Sequence, residues 1–177
     1  MSLIKTISPE NATGEIAEIY DSLKKMFSMV PNALRISSTS PHRLKAQFQE
    51  LAYYGNHPTL KREVTTAIRY VVAVDHGCDY CVTINGMMLK GAGWSDTTIK
   101  DLPVHPENAP FDTKDSALFA AVIKAVRKPK DLVKDDMDKL HDLGWQDGDI
   151  LDAVGHGALS VATDMILRAF KVDPDGK

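Results

Sequence analysis

At 177 residues, 44% hydrophobic and 25% charged, the chain has the composition of an ordinary globular protein and the length to bury a sizeable core as one domain. A net charge of -3 leaves no electrostatic footprint for nucleic acid or an anionic membrane surface. Residues 1–10 hold one lysine and no apolar core of signal-peptide length, and no apolar run approaches the roughly 20 residues of a bilayer span, so a cytoplasmic protein binding neither nucleic acid nor membrane is expected.

In chain order, the first helix is expected after Asn11 or Thr13, with Ile16, Ile19, Tyr20, Leu23, Met26 and Phe27 on one stripe and Val30-Pro31-Asn32 ending it. A second starts with Ser40 as N-cap and Pro41 at the first helical position, burying Leu44, Phe48 and Leu51. After the break Gly55-Asn56-His57-Pro58, a third carries Val64, Ala67, Ile68, Val71 and Val72 at the spacing of a buried stripe. His76-Gly77 interrupts it, and Val82, Ile84, Met88 and Leu89 begin a fourth that Gly91 or Gly93 can stop. Ser95 caps a short helix with Ile99 and Leu102. The loop Pro103–Pro110, with three prolines, is the best boundary between possible halves 1–102 and 111–177.

Asp112 or Thr113 caps a further helix bearing Leu118, Phe119, Val122, Ile123 and Val126, which stops before Pro129. Another spans about Lys134–Leu143, with Gly144 just past its end, and the last runs from about Asp147 to Phe170. Its stripe is read as Ile150, Leu151, Val154, Val161, Met165 and Phe170, and Val172–Lys177 as a loose tail. No segment shows strand alternation. The fold class is therefore all-α, a bundle of about seven to eight helices.

Both cysteines lie in Cys78-Asp79-Tyr80-Cys81, immediately after the His76-Gly77 break. Cys78 falls at or near an N-cap and Cys81 about one turn in, so their β-carbons share a face roughly 5–6 Å apart. Unpaired first-turn amides favour a thiolate there, lowering thiol pKa values to roughly 3.5–7.5. Such a pair can cycle between dithiol and disulfide. A thioredoxin reading expects a neighbouring βαβ pattern, and both flanks here read as helix. In a reducing compartment the spacing argues for catalysis or metal rather than a structural disulfide. The plainer alternative is two buried structural thiols. A zinc site would recruit His76 as a third ligand, but no second cluster supplies more.

Gly77-Cys78-Asp79-Tyr80-Cys81 resembles the G-C-x-Y-C core of the alkylhydroperoxidase D-like and carboxymuconolactone decarboxylase superfamily. The resemblance extends to Gly14–Tyr20 and Val30-Pro31-Asn32, typical of the peroxidase-related branch, and to Leu140–Gly144 and Ile150–His156. It implies a single alkylhydroperoxidase D-like helical domain over 1–177, a homo-oligomer, no bound cofactor or metal, a hydroperoxide substrate and an external dithiol or redox-protein reductant. In the implied mechanism Cys81 attacks the peroxide, becomes a sulfenic acid and is resolved by Cys78 as a disulfide.

Two positions depart from the family pattern. Its histidine, four residues after the second cysteine, corresponds to Asn85, and its relay glutamate, twelve before the first, to Thr66. Asparagine cannot take a proton. Glu63, one turn before Thr66, and His76, two residues from Cys78, are the candidate substitutes, so the catalytic set is Cys78, Cys81, Asn85, Glu63 and His76. A histidine at position 85 is expected to raise the rate if Thr66 and Glu63 leave room for a relay. His156, between Gly155 and Gly157, reads as a core histidine where another helix or a ligand approaches closely. Tyr80 reads as packing or a hydrogen-bond donor, and Met87 and Met88 as core or subunit interface. Two other functions remain open: a decarboxylase-like enzyme acting on a lactone acid, against which the retained cysteines speak, and a non-catalytic binding or assembly protein.

Overall fold

Each helix boundary is set by a local signal that can be named. The computed structural model describes residues 2–176, and among these there are nine α-helices and no strand. They are α1 Gly14–Phe27, α2 Asn32–Arg35, α3 Pro41–Gly55, α4 Arg62–Asp75, α5 Asp79–Gly91, α6 Asp96–Asp101, α7 Thr113–Arg127, α8 Lys134–Asp142 and α9 Asp147–Ala169. With α2 and α6 only four and six residues long, the other seven make the all-helical architecture that the periodicity implies. Ser95 and Asp112 cap α6 and α7 by accepting the Thr98 and Asp115 amides. Pro41 opens α3, where its missing N–H costs nothing.

Two compact units result: the residues up to Asn56 with those from Ile166 on, and His57–Met165. The proline-rich loop at 103–110 lies inside the second. In the first unit, Ile19, Tyr20 and Leu23 of α1 pack with Val30 and Leu44, and Phe48 and Leu51 border this core. Of the segment expected to be a loose tail, Lys177 lies outside the described residues, and the part before it is held. Asn32 donates its backbone N–H to Asp175 Oδ1 at 2.7 Å and its side-chain amide to the Asp173 carbonyl at 3.0 Å. Backbone groups that would otherwise be free in water are thereby tied down.

In the second unit α4 is buried along Val64, Ala67, Ile68, Val71 and Val72, as the spacing predicts, and also at Thr65, Thr66, Tyr70 and Ala73. A helix buried on most of its circumference is the central element of its unit. Leu118, Phe119, Val122 and Ile123 of α7 are buried in the same unit, and Phe111 stacks edge-to-face between Trp94 and Phe119.

The last helix corrects the stripe read from its apolar residues. Leu151 is 71% exposed and Met165 60%, whereas the buried positions are Ile150, Ala153, His156, Gly157, Ser160, Asp164 and Leu167. Small and polar residues face inward because the helices pack closely there. A β-carbon on Gly157 would lie 2.7 Å from Val126 and 3.1 Å from Val122 of α7, and 3.5 Å from Ile68 of α4. Among the described residues α9 is, by length and apolar content alone, a helix that meets the minimum for a membrane span, which corrects the expectation of no such run. Its inward face nonetheless carries an imidazole, a hydroxyl and a carboxyl group.

Candidate active site

The turn between α4 and α5 sets the cysteines in place. His76 ends α4, Gly77 takes φ +63°, the Gly77 amide bonds the Val74 carbonyl at 3.1 Å and the Cys78 amide bonds that of Ala73 at 2.9 Å. This double closure is a Schellman motif, and glycine is favoured at its left-handed position. The chain leaves the motif at Cys78, which is at once the N-cap of α5. Cys81 follows as the third residue of the helix. Both thiols are reduced, with Cys78 1% exposed and Cys81 8%.

A third group meets them. Asp164 of α9 is 2% exposed, and one of its carboxylate oxygens and the two sulfurs all lie within 4.8 Å of one another. This cluster is not legible as a motif, since Asp164 lies 83 positions after Cys81. One signal was present: from Ala153 to Leu167 the only Asp, Glu, Lys or Arg is Asp164. A carboxyl in a long uncharged helical run is buried at a cost unless something uses or pairs it.

Electrostatics splits the two thiols. The Cys81 thiol, directed at Cys78, holds the Cys78 pKa below the ordinary thiol value, against the opposing effect of burial, and the Cys81 backbone amide helps. The Cys78 sulfur makes no full capping hydrogen bond. The Cys81 thiol is pushed strongly upward by its hydrogen bond to Cys78, by burial and by Asp164. Of the two thiols, Cys78 is thus the one whose ionisation the surroundings favour, and Cys81 the one they hold protonated.

Beside this cluster stands a polar network built on Arg69 of α4. Its Nε donates to Asn85 Oδ1 at 2.8 Å, one Nη to His156 Nε2 at 3.1 Å and the other to Thr66 Oγ1 at 2.9 Å. Asn85 is buried and donates its own amide to the Cys81 carbonyl at 2.8 Å. Thr66 donates its hydroxyl to the Arg62 carbonyl at 2.7 Å. The two positions that depart from the family pattern are therefore joined through one guanidinium. Arginine can only donate, so His156 accepts on Nε2. Burial, reinforced by the Arg69 charge, lowers the His156 pKa to about 3, and burial with the Arg62 charge lowers that of Arg69 to about 10.

The other sequence candidates stand elsewhere. Glu63 is exposed in the first turn of α4, and His76 is the half-buried cap residue of that helix; neither belongs to the sulfur cluster. Asn85 has both ends of its amide committed, to Arg69 and to the Cys81 carbonyl, and Thr66 is held between Arg69 and the Arg62 carbonyl. Met87 is 65% exposed and is not core. Among the described residues, Cys78, Cys81 and Asp164 are the grouping whose donor atoms could share a cation, with Asp164 and not His76 as third member. Three donors fall short of the four that close a structural zinc site.

No family model matches the sequence. Over 97 residues the chain is 30% identical to the alkyl hydroperoxide reductase Rv2159c of Mycobacterium tuberculosis, a match covering 53% of this chain and 27% of that protein. The chain thus spans only about a quarter of that relative. In fold it is similar to an uncharacterized peroxidase-related protein from Silicibacter sp. TM1040, with TM-score 0.80, 18% identity and coverage of 98% of this chain and 88% of the other. It is similar also to an alkylhydroperoxidase AhpD core protein, an uncharacterized peroxidase-related protein from Ralstonia eutropha JMP134, with TM-score 0.76, 17% identity and coverage of 98% and 95%. The debrominase Bmp8 shares the fold at TM-score 0.75 and 12% identity, over 98% of this chain and 92% of that one. The chain therefore has the alkylhydroperoxidase D-like fold, and over about half of its length its sequence is similar to an alkyl hydroperoxide reductase.

Proposed function

We propose that this protein is a thiol-dependent peroxidase-like oxidoreductase that reduces organic hydroperoxides with Cys78 and Cys81. The observation that supports the reading is the proximity of two reduced, buried sulfurs to each other and to a carboxyl group at the start of α5. Cys81, the less buried of the pair, attacks the peroxide; Cys78, whose thiolate the surroundings favour, is poised to displace hydroxide from the resulting sulfenic acid. An external dithiol or redox protein then reduces the disulfide. The decarboxylase alternative needs no sulfur pair, and the alkyl hydroperoxide reductase named above is a relative whose activity fits one.

The test is a titration of reduced protein with cumene hydroperoxide, counting free thiols and locating the bridge by mass spectrometry. Loss of two thiols per chain, an intrachain Cys78–Cys81 bond and regeneration by a dithiol are expected. Protein whose thiols survive excess hydroperoxide would leave the non-catalytic reading in its place. Cys81→Ser should abolish consumption, whereas Cys78→Ser should allow one oxidation event that is not recycled.

A further inference from the structure

We propose that Asp164 is the catalytic base and acid of the cysteine pair, taking the proton of Cys81 as it attacks and returning it to the leaving oxygen. The inference rests on the peroxidase reading above and assigns a residue to the role that Asn85 and Thr66 cannot fill. Geometry carries it. The Asp164 carboxylate lies within 4.8 Å of both sulfurs and is buried with them. The competing groups are each accounted for: Asn85 is bonded to Arg69 and to the Cys81 carbonyl, His156 gives its Nε2 to Arg69, Glu63 is exposed, and His76 lies outside the cluster.

The groups around the carboxyl define the charge it works in. Cys78 and Cys81 face it from α5, Arg69 of α4 is the cation whose charge reaches Cys81, and His156, two turns earlier on α9, is neutral above pH of about 3. Both thiols are held protonated more firmly by Asp164 than they would be without it. A carboxylate that merely sat there would therefore slow the chemistry. As a base it accelerates it, because the proton moves only as the sulfur commits.

The Cys81 S–H passes its proton to the Asp164 carboxylate while sulfur bonds to the terminal oxygen of the hydroperoxide. The O–O bond breaks, the departing alkoxide takes the proton from Asp164 and leaves as an alcohol, and Cys81 becomes S–OH. Sulfur is oxidised by two electrons and the peroxide is reduced by two. Cys78 then attacks the Cys81 sulfur, the S–O bond breaks, and hydroxide leaves as water with the Cys78 proton.

Asp164→Asn separates this role from a structural one. Two rates are measured against pH on reduced protein: alkylation by iodoacetamide, which needs only a thiolate, and disulfide formation with cumene hydroperoxide. With the carboxylate gone, the alkylation profile should move to lower pH while the peroxide rate falls by about 10²-fold or more. Peroxide and alkylation rates that rise together, or a peroxide rate left unchanged, would overturn the proposal. If wild-type protein reacts with no hydroperoxide, the peroxidase reading falls and the base role with it, whereas failure of the base role alone shows as an active wild type whose peroxide rate Asp164→Asn leaves unchanged. If circular dichroism shows that Asp164→Asn is unfolded, wild-type protein supplies the test through its rates with tert-butyl hydroperoxide and peracetic acid. A weak dependence on leaving-group basicity is expected when Asp164 protonates the departing oxygen; the steep dependence of an unassisted thiolate would overturn it.

Discussion

Asn85 illustrates how one residue's chemistry depends on its neighbours. Its side chain links the Arg69 guanidinium to the Cys81 carbonyl and so fixes the backbone under the sulfur. Asn85→His should therefore bring no gain in peroxide turnover, because the ring would meet Arg69 and a held Thr66, with no carboxylate to orient it. It should also destabilise the fold by about 1–3 kcal/mol, the cost of one buried partner left unbonded. A gain of about 10²-fold in stopped-flow peroxide assays would restore the missing histidine as the limiting part. His156 makes a second prediction. Its folded pKa of about 3 lies below the ordinary value of 6.5, so between these limits the unfolded chain binds the proton and the folded chain does not. Stability from this group is complete above pH of about 6.5 and is lost on acidification towards 3, at no more than about 1.4 kcal/mol per pH unit. Urea unfolding at a series of pH values should show the slope in wild-type protein and lose this share of it in His156→Gln, which keeps an acceptor for Arg69.

Among the elements, α4, α5 and α9 build the site, each by a different device. The Schellman turn at Gly77 places Cys78 at a helix start, and the i, i+3 spacing brings Cys81 alongside. Gly157 lets α9 approach α7 and α4 closely enough for His156 to reach Arg69 and for Asp164 to reach the sulfurs. In an exposed helix, alanine would be preferred to glycine by about 1 kcal/mol. Here its β-carbon would strike two valines, whose branched side chains have little rotamer freedom. Gly157→Ala should thus destabilise the fold by about 1–2 kcal/mol net of the propensity gain, as overpacked cores do. It should also slow peroxide-driven disulfide formation by displacing Asp164. A more stable variant with unchanged kinetics would show that the close approach has no part in the site.

For the whole molecule, the exposed apolar side chains Met87 and Met88 on α5 and Leu151, Leu159 and Met165 on α9 are more than the inward faces use. We expect them to be covered in a homo-oligomer. Light scattering at micromolar concentration should then give a multiple of 19.5 kDa, and a monomer would refute it. The helical class, most helix limits, the α4 stripe and the cysteine pair at a helix start were determined by the sequence alone, because caps, turns and 3.6-residue periodicity act between residues near in the chain. The inward face of α9, the place of Asp164 and the links joining Asn85, Thr66 and His156 to Arg69 were decided only by the tertiary structure. A search for apolar stripes overlooks a helix whose buried side is glycine, serine, histidine and aspartate. Nothing local records which carboxyl will meet which thiol. That choice is made when packed helices exclude water from both, so that burial, and no sequence spacing, turns Asp164 from a solvated charge into a neighbour of Cys81.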